Sequence, residues 1–339
     1  MRIGLIYDIF EAYPWAPGDP PDADAEYEPA ATVLALEGAI RALGAEPVRI
    51  GTARDLLAAI TRLDVDVALS IAEGAHSRNR EAFAPILLEM AGIPYLGSDA
   101  LTLSVCLDKA WTKDIVAAGG VPTPAYRVYA SADAVDAGDL PGPFPLFVKP
   151  RYEGSSKGIT RRSKVATVDA LRDAVEFITR AYLQDALVEP FIEGGGEFTV
   201  AVVGHAPAEA LPVLQRAVER TTRIGLHALD RRGYAHADLA YDLEGTLDAG
   251  LEARMQHLAV QAFHHLGCLD FARVDFRVDH AGRPWFLEIN PLPTFDPEGT
   301  FAILAELMGK SYENFLAGVL EMGMARVGKA RASEPHDLS

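Results

Sequence analysis

The chain has 339 residues, 49% hydrophobic and 23% charged, with a formal net charge of −17. This length and balance suit a soluble globular protein of two or three lobes around one cleft. The acidic surplus disfavours a duplex nucleic-acid partner, which calls for clustered Lys and Arg; any anionic substrate would be held by a local cationic site against the global field. Cys106 and Cys268 stand apart, without the spacing of a zinc site or a disulfide framework, and read as reduced core residues. The opening MRIGLIYDIF lacks the long apolar run and small-residue cleavage site of a signal peptide. No run approaches the apolar length needed to cross a membrane, so the expected location is the cytoplasm, with no membrane partner.

In chain order, residues 2–7 read as a short buried parallel strand. Residues 11–29, rich in Pro, Asp and Ala, are too long for an ordinary βα loop. A helix over 30–43, a strand over 47–50, a helix over 53–62 and a strand over 65–71 follow. This β-α-β-α-β order predicts a small doubly wound lobe up to about Gly97. A helix over 80–91 precedes Gly92-Ile93-Pro94-Tyr95-Leu96-Gly97-Ser98, and one further helix carries Asp108, Lys109 and Lys113. Residues 145–150 form a strand ending in Lys149-Pro150. The next loop, Glu153-Gly154-Ser155-Ser156-Lys157-Gly158, leaves backbone N–H and hydroxyl donors free to wrap a phosphate, with Lys149 as a point charge beside them. A helix over 168–181 and a strand over 186–192 come next. Residues 204–250 are the least legible, and a helix over 251–266 ends at Gly267.

Residues 270–301 read as a β-hairpin. Alternation places Arg273, Asp275 and Arg277 on one face and Val274, Phe276 and Val278 on the other. In residues 285–290, Glu288 and Asn290 share one face, Leu287 and Ile289 the other. With a turn centred between Ala281 and Gly282, Asp275 opposes Glu288 and Arg273 opposes Asn290. Two opposed carboxylates repel, and an arrangement of oxygen ligands alone favours a hard cation such as Mg²⁺ shared with nucleotide phosphates. The competing reading is a solvated hairpin face in a slipped register.

Arg273-x-Asp275 and Glu288-x-Asn290, thirteen residues after the Asp, resemble the metal-binding hairpin of ATP-grasp ligases, most closely of the D-alanine–D-alanine ligase family. The resemblance implies an α/β ATP-grasp fold: a small doubly wound N-terminal lobe (1–97), then two α+β lobes enclosing ATP (98–190 and 191–328), with residues 329–339 as a disordered tail. It implies that Asp275, Glu288 and Asn290 bind two Mg²⁺, or Mn²⁺ in their place, bridging the ATP phosphates. Arg273 would stabilise the tetrahedral intermediate. Lys109, Lys149, Ser155 and Ser156 would contact phosphates. The backbone of Phe191 and Ile192, with Glu189, would face the adenine edge, and Glu197 the ribose hydroxyls. Glu26 in Ala25-Glu26-Tyr27-Glu28 resembles the family's acidic residue for the substrate ammonium, although an acidic loop before a helix is also favoured by the helix dipole alone.

The departures fall on substrate positions. Glu73 stands where the family has His, the Pro/Asp loop replaces a Gly-rich turn, and Gly299 and Thr300 stand near the family's missing serine. Arg223, Arg231 or Arg232 could replace the family's closing-loop lysine, or be solvated charges. The implied activity is an ADP-forming carboxylate–amine ligase working through an acyl phosphate on small-molecule amino-acid or amine substrates, with a homodimer as the expected assembly. The alternatives are a ligase of the same fold for other amino acids or amines of specialised metabolism, a nucleotide-binding pseudoenzyme or regulatory module, and a phosphotransferase that stops at the phosphorylated product. Two prolines and two acids in residues 293–299 argue against D-alanine as the acceptor, because an amino-acid carboxylate needs donors there.

Overall fold

The computed structural model describes residues 1–229 and 239–333, with side chains up to residue 328. The N-terminal strands and helices are β1 (Arg2–Tyr7), α1 (Ala30–Ala42), β2 (Glu46–Gly51), α2 (Ala53–Ala59), β3 (Val67–Ile71), α3 (Phe83–Met90) and β4 (Tyr95–Leu96). Their strands form a parallel sheet in the order β2-β1-β3-β4. Every residue of β3 is buried, as expected for a strand covered on both faces. Thr52 and Asp55 start α2 with a reciprocal capping box.

Two helices, α4 (Ala100–Leu107) and α5 (Lys109–Ala118), replace the single helix expected around Asp108. Asp108 leaves helical geometry at ψ 95° and caps α5 by accepting from the Ala110 and Trp111 N–H groups. It also accepts two 2.8 Å bonds from Arg151, which fixes the break against the next sheet. That sheet holds β5 (Arg127–Tyr129), β6 (Leu146–Pro150), β7 (Lys164–Val165) and β8 (Ala186–Pro190), with α6 (Val168–Ala181) between the last two. Its order is β5-β8-β6-β7, antiparallel throughout. The apolar stripe Leu171, Ala174, Val175 and Ile178 of α6 is the face that buries against it.

The rest of the chain runs β9 (Gly194–Gly204), β10 (Ala208–Ala210), β11 (Leu214–Arg216), β12 (Val218–Glu219), α7 (Leu226–Leu229), β13 (Tyr241–Asp242), α8 (Ala249–His265), β14 (Phe271–Asp279), β15 (Pro284–Asn290), α9 (Thr300–Leu307) and α10 (Tyr312–Ser333). The main sheet is β10-β9-β14-β15, with β11 also paired to β9. Val274, Phe276, Phe286 and Ile289 pack on Met255, Ala259 and Phe263 of α8. The opposite end of the sheet joins the first lobe: Ile3, Leu5, Leu36 and Ile40 share a core with Phe271, Phe295, Phe301 and Leu316. Each fully buried Phe contributes about 2–3 kcal/mol. Helix α10 continues to Ser333, past Lys329 where a tail was expected to begin; residues 334–339 lie outside the described residues.

The hairpin has the expected register at its functional end, with Arg273 opposite Asn290 and Asp275 opposite Glu288. Nearer the turn it shifts by one: Phe276 faces Phe286, leaving Leu287 as a bulge. The extra residue turns Leu287 toward the cleft, where it lines a cavity beside Glu288, instead of joining Ile289 in the core. Asp279 organises the turn by accepting from the N–H groups of Ala281 and Arg283 and from the Trp285 indole.

Candidate active site

Two cavities meet at Glu288. The first, about 80 Å³, lies between the second and third sheets and is lined by Lys149, Ser156, Glu189, Phe191, Ile192, Glu197, Asp275 and Glu288, among others. The second, about 20 Å³, lies between the first lobe and the hairpin and is lined by Glu26, Glu73, Lys109, Ser155, Glu288 and Asn290, with Glu81. Most of the anticipated residues thus converge from segments more than two hundred positions apart, with Arg273, Gly299 and Thr300 outside both linings. Gly299 is the N-cap of α9, and the buried Thr300 hydroxyl accepts a 2.8 Å bond from Arg216. Burial, then the neighbouring Arg273, depresses the Arg216 pKa, so Thr300 is held by a cation of β11 that the sequence does not single out.

Around Lys149, among the described residues, the carboxylates are matched by basic side chains. Lys149 lies 2.7 Å and Lys113 2.6 Å from opposite oxygens of Glu189. The Glu189 carboxylate therefore carries two lysines where it lines the first cavity. Burial opposes its charge, but the two lysines more than offset this and hold its pKa below the ordinary value. Burial brings Lys113 down to about 8, whereas for Lys149 the attraction of Glu189 and Glu288 outweighs burial and raises the pKa. Lys109 sits 3.1 Å from Glu288 and donates to the Glu153 carbonyl at 2.6 Å. Despite its burial, Glu288 is brought down to about 2 by Lys109, Lys149 and Arg273. Arg273 reaches Asp275 at 3.0 Å, and Asp275 also accepts from Thr199 at 2.5 Å.

Arg277, one of the alternating charges of the hairpin, ties it to the segment around Phe191 and Ile192. It donates to the Ile192 carbonyl at 2.7 Å, to Glu197 at 3.0 Å and to the Arg223 carbonyl at 2.9 Å, and it lies 4.4 Å over the Phe191 ring. Arg223 itself pairs with Asp242 at 2.8 Å. Arg231 and Arg232 lie outside the described residues.

Ser155 and Ser156 both adopt positive φ, 44° and 58°. Such backbone costs on the order of 1–3 kcal/mol per residue and persists where its surroundings impose it, commonly at ligand clamps. The surroundings here come from the Pro/Asp loop. Glu26 accepts from the Gly154 N–H at 2.6 Å, and Asp22 accepts from the Gly158 N–H at 2.9 Å. Glu26 also takes Arg80 at 2.5 Å, and Arg80 donates onward to the Tyr152 carbonyl at 3.0 Å. Against its own burial, Arg80 and Lys157 bring Glu26 to about 2. The segment that departs from the family pattern is what anchors the serine loop.

The family model described as D-ala D-ala ligase C-terminus matches residues 116–321. The chain belongs to the D-alanine–D-alanine ligase family. Among its relatives is a D-alanine–D-alanine ligase from Stutzerimonas stutzeri, 33% identical over 85% of this chain and 87% of that one. A protein of Sinorhizobium fredii without an assigned function is 32% identical over 76% of this chain and 74% of its own length. A D-alanine–D-alanine ligase structure from Bacillus anthracis superposes with a TM-score of 0.73 at 25% identity, covering 98% of this chain and 99% of that one. The fold is ATP-grasp, and the protein is an ATP-dependent ligase that forms C–N bonds. The family uses ATP and Mg²⁺ and acts on small amino-acid substrates. No described helix is long and apolar enough to cross a membrane.

The hairpin's donor set suits Mg²⁺. Among the described residues, no three His, Cys, Asp or Glu side chains converge on a metal position. Two carboxylates and an amide are what Mg²⁺ takes from a protein when nucleotide phosphates and water supply the remaining ligands. Glu288 sits beside Lys109, a monovalent partner that a divalent ion can outcompete.

Proposed function

We propose that this ligase joins two amino acids, or an amino acid and an amine, through an acyl phosphate made from ATP. One observation carries the reading: Asp275 and Glu288 face each other across the β14–β15 ladder, at the junction of a cavity lined by Lys149 and Ser156 with one lined by Ser155 and Glu73. ATP would lie in the first cavity, with its base against Phe191 and Ile192, its ribose at Glu197 and its phosphates beneath Lys149, Lys109 and the serine loop. Two Mg²⁺ held by Asp275, Glu288 and Asn290 would neutralise charge on the transferring phosphoryl group. A donor carboxylate oxygen attacks the γ-phosphorus and ADP leaves; the acceptor amine then attacks the acyl carbon, and phosphate leaves as the amide forms.

Arg273 supports the second step. Its guanidinium rests on Asp275, and once that carboxylate is committed to a metal it is free to turn toward the tetrahedral oxyanion. The acceptor end is acidic. Glu28 accepts from Thr294 at 2.9 Å, and burial raises its pKa to about 7, with Asp296 adding to the rise. That environment favours an acceptor other than D-alanine. The test is ADP release across an amino-acid and amine panel, with products identified by mass spectrometry. ADP release requiring a carboxylate and an amine, with an amide product, is the expected result. Release with no amide product overturns the reading in favour of a phosphotransferase, and D-alanyl-D-alanine as the dominant product overturns the acceptor assignment.

A further inference from the structure

Two lysines share one carboxylate beside the first cavity, and they are not equivalent. Lys149 lines that cavity, and among the described residues Glu189, at 2.7 Å, is the one acid it pairs with. Lys113 lines neither cavity and is fully buried on α5. Its Nζ lies 2.6 Å from the other Glu189 oxygen and donates to the Thr123 hydroxyl at 2.8 Å. That hydroxyl donates in turn to the Phe286 carbonyl at 2.9 Å, and the Phe286 N–H donates to the Pro122 carbonyl at 2.7 Å. Lys113 is therefore pinned between β8 and the hairpin, whereas Lys149 hangs on a single contact at the cavity wall.

A phosphate arriving in the cavity takes Lys149 only at the expense of its hold on Glu189. A carboxylate as buried as Glu189, 2% exposed, is strongly destabilised when its counterion leaves. With Lys113 in place, Glu189 keeps a counterion and Lys149 leaves a neutral pair behind. Counting Glu288 with Lys109, three lysines face two carboxylates here. The positive charge left over is what an incoming phosphate neutralises.

We propose that Lys113 is a positioning residue for the nucleotide: it holds the charge of Glu189 so that Lys149 is released to the phosphates. This rests on the placement of the ATP phosphates at Lys149 made above. It gives α5 a second task, because Lys113 stands one turn beyond Lys109, which meets Glu288. Since Lys113 does not line the cavity, its effect passes through Glu189, and that dependence is measurable.

The experiment is titration of a non-hydrolysable ATP analogue, with Mg²⁺, into wild type, Lys113→Met, Glu189→Gln, the double variant and Lys149→Met. In Lys113→Met the Kd rises about tenfold or more, because Lys149 becomes the sole counterion of Glu189. In Glu189→Gln it rises as well, because two buried lysines are left to repel each other. The double variant loses one charge of each sign; it binds more tightly than either single variant and within about threefold of wild type. A residue that merely fills space would give losses that add. Unchanged binding in Lys113→Met, or a double variant no tighter than the single ones, overturns the inference. If Lys113→Met alone does not fold, the double variant is set against Glu189→Gln: tighter binding supports the inference, equal or weaker binding overturns it. Lys149→Met separates the two readings. Weakened binding there, with none in Lys113→Met, removes the positioning role and leaves the phosphate assignment standing. Unchanged binding in Lys149→Met overturns the phosphate assignment and the inference with it.

Discussion

The two walls of the cleft handle charge in opposite ways. On the wall that carries Lys149, Glu189, Glu288 and Asp275 are each matched within the protein, by Lys113 with Lys149, by Lys109 and by Arg273. On the first-lobe side Glu73 and Glu81 are buried with no hydrogen bond or ion pair among the described residues, and burial, outweighing the attraction of Arg80, raises the pKa of both, that of Glu81 to about 7. Paired charges form a site that exists before its ligand and exchanges partners when phosphate and metal arrive. Unpaired ones shed their charge by taking up a proton, so the same residue type is held ionised on one wall and pushed toward neutrality on the other.

The comparison is most sharply tested at the hairpin. Asp275→Asn keeps an oxygen for the Thr199 hydroxyl but removes the charge, and ADP formation is expected to fall by about 10³ or more. Thermal unfolding shifts little, because relief of the repulsion from Glu288 offsets the weakened Arg273 contact. Unchanged turnover at saturating Mg²⁺ would remove the metal assignment.

Glu189→Gln leaves Lys113 and Lys149 buried without the carboxylate that bridges them. It is expected to cost about 3–5 kcal/mol in chemical denaturation, as well as weakening ATP binding. Under the same conditions Glu73→Gln has the opposite sign and stabilises the empty enzyme. Equal and same-signed changes for the two would erase the distinction between the walls.

Glu28 offers a test by pH. Burial raises its pKa from 4.5 unfolded to about 7 folded, so its favourable contribution is full below the unfolded value and is lost as the pH rises through about 7. Glu28→Gln, whose carbonyl can still accept from Thr32 and Thr294, should match wild type near pH 5. Near pH 8 it should exceed wild type by on the order of 2–3 kcal/mol. A gap that does not widen between these pH values would mean that Glu28 stays ionised throughout. The smallest effect is remote from either wall. Thr52→Ala removes the α2 capping box and is expected to cost about 1 kcal/mol with turnover unchanged; a loss of activity would show that the first lobe's far edge is coupled to the cleft.

The sequence by itself determined the parallel order of the first lobe, the hairpin's faces and the opposition of Asp275 to Glu288. These follow from local rules: period-two alternation, a four-residue turn and helix-terminating residues act over a few positions and are legible wherever they occur. The break at Asp108 was hidden because the flanking residues suit a helix, and its cause, Arg151, lies 43 positions away. The bulge at Leu287 escaped because alternation carries no sign of an inserted residue. Only the tertiary structure decided that Glu26 is bound by the Gly154 N–H, 128 positions away, and by Arg80, that Glu189 carries two lysines, and that Glu73 and Glu81 are buried in one cavity lining. A carboxylate reads the same in any sequence; whether it is a counterion, a clasp or a protonated acid depends on which distant charges the fold brings within a few ångströms of it, and on how much water the fold leaves there.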